Sequence, residues 1–143
     1  IHPFISGNKW RKLKGFIDLT AKNQSTGLIS KGGAYSNHLL ALSFAGSIFK
    51  LKTSAFVRGE EISDLNAVMA LCKLNGMDII PISRSDYKLE INELAKKFNI
   101  DSSFLRVPEG GMGHASIHGF EDLNEIVLKD YSDIIISIGT GTT

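Results

Sequence analysis

Residues 27–40 read GLISKGGAYSNHLL, and the way this stretch divides decides the fold. The apolar piece Leu28-Ile29-Ser30 reads as a strand. Lys31-Gly32-Gly33 reads as a turn, since paired glycines let the backbone turn tightly or approach a ligand closely. Ser36 and Asn37 then precede a helical pattern from Leu39 to about Ile48, where either residue suits the cap. Strand, glycine turn and helix in so short a span open a β-α-β unit.

The same alternation continues downstream. Residues 53–57 read as a strand, and 64–74 as a helix with Ser63 as cap and Gly76 as stop. Residues 78–82 form a strand at a sheet edge or ending near Pro81. A helix over 89–98 and a strand over 104–107 follow, closed by Pro108-Glu109-Gly110-Gly111. A helix over 115–128 and an all-apolar strand over 134–138, buried on both faces, complete the pattern. Upstream, Asn8 reads as the N-cap of a helix whose apolar stripe is Trp10, Leu13, Phe16, Ile17 and Ala21. The expected class is α/β, with a parallel sheet, helices on both faces and right-handed crossovers. In such sheets ligands bind beyond the carboxyl ends of the strands.

The chain has 143 residues, 43% of them hydrophobic and 22% charged, a mixture able to bury a core. A net charge of +1 gives no electrostatic pointer to nucleic acid or to an anionic membrane. No apolar run approaches the roughly 20 residues of a membrane-spanning helix. The single Cys72 forms no internal disulfide, which fits a reducing, cytoplasmic setting. Position 1 is Ile, and DIIISIGTGTT closes the sequence as a buried-strand pattern running into a Gly/Thr turn. The expectation is a partial fragment of a longer protein.

Four places carry residue types suited to chemistry. In ISGNKWRKL, a helical wheel puts Arg11 and Lys12 outside the apolar arc, Lys14 at its edge and Lys9 inside it. Lys9 also lies in the first turn, where the helix dipole disfavours a positive charge. A lysine held neutral by burial can form a Schiff base; the plainer alternative is an amine that snorkels into water. In KGGAYSNH, Ser36, Asn37 and His38 stand at a helix N-terminus whose free amides suit an anion, though capping alone explains a Ser or Asn there. Tyr35 could stack on a ligand, with core packing the default for an aromatic. Gly139-Thr140-Gly141-Thr142-Thr143 follows the last strand and suits a phosphate held by backbone amides, without the lysine spacing of a P-loop. His114 and His118 share a helix face, but no third ligand stands at a convincing spacing and Glu121 reads as a surface acid, so no metal site is expected.

In order and spacing, SGNKWRKLK, GGAYSNH, PEGG and the terminal IGTGTT resemble pyridoxal-phosphate enzymes of the tryptophan-synthase-β-like fold (fold type II). Within that fold they are most similar to the 1-aminocyclopropane-1-carboxylate deaminase/D-cysteine desulfhydrase family. The resemblance implies that Lys9 bonds pyridoxal 5'-phosphate as a Schiff base and that Asn37 bonds the pyridoxal 3′-oxygen. Ser36 would bind the substrate carboxylate or take part in proton transfer, with His38 beside it at a position where the family carries Gln or His. Gly139, Thr140, Gly141, Thr142 and Thr143 would hold the cofactor phosphate, and Lys12 has no assigned chemistry. The implied reaction releases ammonia and a 2-oxo acid from a small amino acid, with sulfide as well from D-cysteine. The implied domains are a smaller one over 13–112 and parts of a larger one over 1–12 and 113–143. A homodimer, common in the family, is the assembly the resemblance carries over. The fragment alone is expected to be inactive, because the family also uses residues from the second half of the chain. The alternatives are another activity on the same fold, such as a racemase or a different β-elimination, and a non-catalytic nucleotide- or anion-binding α/β module.

Overall fold

The computed structural model describes Ile5, residues 7–59 and 66–121, Ser132, Asp133 and Ile135. Helix α1 (Gly7–Asn23) leads into strand β1 (Gly27–Gly32), helix α2 (Asn37–Phe49) and strand β2 (Lys52–Arg58). Helix α3 (Ala67–Leu74), strand β3 (Met77–Ile82), helix α4 (Ile91–Lys97), strand β4 (Phe104–Arg106) and helix α5 (His114–His118) follow. A 3-10 turn over Asp86–Lys88 precedes α4, and another over Glu109–Gly111 follows β4.

The four strands form one parallel sheet in the order β3-β2-β1-β4. Period-two alternation sends neighbouring residues to opposite faces. Leu28, Ala55 and Val57 pack with Leu13, Phe16, Leu39, Leu42, Met69 and Cys72 from α1, α2 and α3. Ile29, Phe56 and Ile82 pack on the other face with Ile91 and Leu94 of α4. The expected three-layer arrangement is therefore present, with β3 and its Pro81 at an edge.

Several local expectations are corrected. Asn8 lies inside α1 rather than capping it, and the chain enters the helix through Gly7 at φ +56. Ala21 is exposed, because the end of α1 runs past the sheet it covers. The cap of α3 is Asn66, whose Oδ1 accepts from the amides of Val68 (2.9 Å) and Met69 (3.1 Å); Ser63 lies outside the described residues. Strand β1 continues through Lys31 and Gly32, where a turn was expected, because both stay paired in register with Phe56 and Val57. Ile135 is 99% exposed and in no strand, since no described element covers it; the rest of 134–138 lies outside the described residues.

Helix α1 is fastened to the 3-10 turn after β4 and to α5. A Cβ on Gly15 would fall 1.7 Å from the carbonyl oxygen of Ala115, so only glycine permits this approach. Gly15→Ala is expected to cost about 1–3 kcal/mol, as overpacking does in a close-packed contact, read as a lowered midpoint of urea unfolding.

Candidate functional site at the carboxyl ends of β1 and β4

The strand order reverses at β1: β2 and β3 lie to one side and β4 to the other. In open parallel sheets such a reversal separates the loops at the carboxyl ends and opens a crevice there. The loop leaving β1 ends at Ser36, and Asn37 and His38 open α2. The loop leaving β4 carries Pro108 and the Glu109–Gly111 turn.

Ser36 is the N-cap of α2, and its Oγ accepts from the Leu39 amide at 3.3 Å. Asn37 begins the helix with its side chain exposed, beside the positive end of the helix dipole. His38 turns inward and is 4% exposed. Its Nε2 lies 2.9 Å from the Ser30 Oγ on β1, and that hydroxyl also reaches the Pro108 carbonyl at 3.5 Å. One hydrogen-bonded chain thus ties β1, α2 and the loop after β4 together.

The other ring nitrogen, Nδ1, is buried with no hydrogen-bond partner among the described residues. Burial first, and then the charges of Lys9 and Lys12, pull the His38 pKa down to about 3. The imidazole is therefore neutral at physiological pH, and both lysines sit close enough to act on it.

The two lysines divide differently from the helical wheel. Lys9 is half-buried, whereas Lys12, expected outside the apolar arc, is 4% exposed. Burial, and then the charge of Lys9, lowers the Lys12 pKa. The reason is a second packing surface. Gly111, at φ +70, lies so near that a Cβ there would meet the Lys12 Cβ at 3.3 Å and the His38 Cε1 at 3.4 Å. A wheel drawn for one apolar face misses a side chain covered by a loop.

Lys12 from α1, His38 from α2 and Gly111 from the turn after β4 thus meet at one corner, with Lys9 one helical turn before Lys12. Gly139, Thr140, Gly141, Thr142 and Thr143 lie outside the described residues. Tyr35 is 78% exposed, so core packing does not hold for it; it sits in the exposed turn just before the cap. His118 Nδ1 lies 2.8 Å from Glu121 Oε1 on the surface. Reading by motif missed Ser30, the buried partner of His38. A serine closing an apolar strand just before a glycine pair was the available signal.

This geometry places the start of α2 and the turn after β4 at the reversal point of a parallel sheet, where such folds bind ligands. The chain is 30% identical over 148 aligned residues to a Thermotoga maritima protein named "Putative 1-aminocyclopropane-1-carboxylate deaminase". The match spans 96% of this chain and 47% of that protein, so the chain spans about half the length of this relative. A crystal structure described as an ACC deaminase homologue superposes with TM-score 0.65 at 20% identity, over 87% of this chain and 39% of that one. A hydrogen sulfide-producing enzyme from Fusobacterium nucleatum superposes with TM-score 0.51 at 12% identity, over 73% and 34%. No protein-family model matches. The superposition shows that the chain shares the fold of the ACC deaminase homologue. Among the described residues, no helix is long and apolar enough to cross a membrane.

The neutral, buried His38 makes stability depend on pH. Its folded-state pKa lies far below the ordinary 6.5, so the unfolded chain takes up the proton first. The contribution is fully present above pH 6.5 and is lost as pH falls toward 3. Between pH 6.5 and about 5, the unfolding free energy is expected to fall by up to about 1.4 kcal/mol per pH unit. Urea titrations across this range should show a shallower slope for His38→Gln; an unchanged slope would remove His38 as its source.

Proposed function

We propose that the whole protein is a pyridoxal-phosphate-dependent enzyme acting on a small amino acid of the 1-aminocyclopropane-1-carboxylate or D-cysteine type. The products would be ammonia and a 2-oxo acid, with sulfide as well from D-cysteine. The observation that carries the reading is the Ser36–His38 turn at the sheet's reversal point, packed through His38 against the same Gly111 that meets Lys12 of the Lys9 helix. Motifs separated in sequence converge where the fold opens a crevice.

The residues present fit the cofactor. Lys9 stands one helical turn before Lys12, which packs against the same Gly111 as His38. Asn37 offers an exposed carboxamide at a helix start. In this reading Lys9 holds the cofactor's aldehyde carbon, Asn37 its 3′-oxygen, and Gly139 to Thr143 its phosphate. When bound, pyridoxal phosphate supplies an electron sink for negative charge at or near the substrate Cα.

The remaining roles belong to the chain. Ser36 Oγ orients the substrate carboxylate or carries a proton. Lys9 Nζ would also serve as the group that moves a proton near the substrate Cα. Lys12 stays buried behind it and keeps the site electropositive for an anionic substrate. His38, read from the motif as a substrate contact, is assigned to holding the Ser36-Asn37 turn against β1, because its imidazole is buried on Ser30. The domain boundary proposed after residue 12 falls within α1, which continues unbroken.

The full-length protein incubated with pyridoxal phosphate should develop the visible band of a lysine Schiff base. Lys9→Ala should abolish that band and Lys14→Ala should keep it. Absence of the band in the unaltered protein would overturn the reading. Ser36→Ala should keep the band while lowering turnover by about 10²- to 10⁴-fold, the usual share of a positioned proton-transfer group. Parallel assays of 2-oxo acid and sulfide from the two substrates then assign specificity.

A further inference from the structure

A second concentration of charge lies at the carboxyl ends of β2 and β3, and the reaction proposed above makes no use of it. Arg58 closes β2, and Arg84 and Lys88 stand on the loop joining β3 to α4. With Tyr87 they line a cleft of about 500 Å³, a volume that suits a small molecule. No carboxylate lines it, and none of the three cations makes an ion pair among the described residues.

Among the described residues, the nearby acids are engaged elsewhere; Glu60, Glu61 and Asp64, which follow Arg58 in sequence, lie outside them. Asp86 is held 2.6 Å from Lys97 Nζ, which lowers its pKa. Glu109 accepts a hydrogen bond from the Tyr87 hydroxyl. Glu90 and Glu93 close a capping box on the first turn of α4. Three like charges with no counter-charge among the described residues repel one another, and a bound anion would relieve that cost.

The loop is also fixed in shape. Lys31, 8% exposed on β1, donates from Nζ to the carbonyls of Tyr87 at 3.2 Å and Leu89 at 2.7 Å. Ser83 Oγ accepts from the Asp86 amide at 3.0 Å and lies 2.8 Å from Ser85 Oγ. The Arg58 guanidinium sits 5.3 Å from the centre of the Tyr87 ring, a cation–π distance that limits its swing. A pre-ordered backbone beneath a cleft loses little entropy on binding.

We propose that Arg58, Arg84 and Lys88 form a binding site for a small multivalent anion, a metabolite bearing phosphate or several carboxylates. Arginine forks match either group in bidentate fashion. The site stands on the β3-α4 loop and does not depend on the activity proposed above.

The test is calorimetric titration of the full-length protein with inorganic pyrophosphate and, separately, citrate, at matched ionic strength. At least one anion should bind. Arg58→Ala/Arg84→Ala should weaken that binding by about tenfold or more, the scale of losing charged hydrogen bonds. Lys73→Ala/Lys96→Ala, which removes exposed cations elsewhere, should leave it unchanged. Preference for pyrophosphate or for citrate identifies the ligand's chemistry. Binding that survives loss of Arg58 and Arg84, binding equally weakened in the control, or binding of neither anion would overturn the proposal.

Discussion

Strand β1 is paired on both sides and buried along all six residues, and much of the structure follows from that constraint. A central strand covered on both faces is normally apolar throughout. Here it contains Ser30 and Lys31, each of which must find an internal partner. Ser30 finds His38, and Lys31 finds two carbonyls of the β3-α4 loop. One demand fixes the start of α2 over the sheet. The other fixes the loop that carries Arg84 and Lys88 beside Arg58 of β2.

The electrostatics of the crevice follow from the same arrangement. Two lysines on one helix approach a buried imidazole, and a low-dielectric corner penalises every added positive charge. His38 answers by staying neutral and Lys12 by a lowered pKa. The corner thus keeps a strong preference for a negative partner without placing a second ion in the core. Buried polar groups of this kind cost stability and are retained at sites.

Much of the fold was legible because its signals are local. Alternating apolar runs, glycine turns and caps depend on residues a few positions apart, so β1 to β4 and α1 to α5 are found close to their expected positions. The misses share a cause. Asn8 and Ser63 looked like caps by type, yet the helix starts were set by Gly7 and Asn66. Lys12 looked like a surface cation, yet the loop after β4 covers it. Lys31 looked like a turn residue, yet carbonyls 56 and 58 positions away retain it in the strand.

The sequence by itself determined the β-α alternation, the parallel sheet and the motifs around Lys9 and Ser36-Asn37-His38. These follow from periodicity, backbone restriction and ordered spacing. Only the tertiary structure decided which lysine is buried, that His38 is neutral and bound to Ser30, and that Arg58, Arg84 and Lys88 share one cleft. Burial and charge pairing depend on what lies across the sheet or beyond the next loop. No local pattern records those neighbours, because chain segments far apart in sequence supply them.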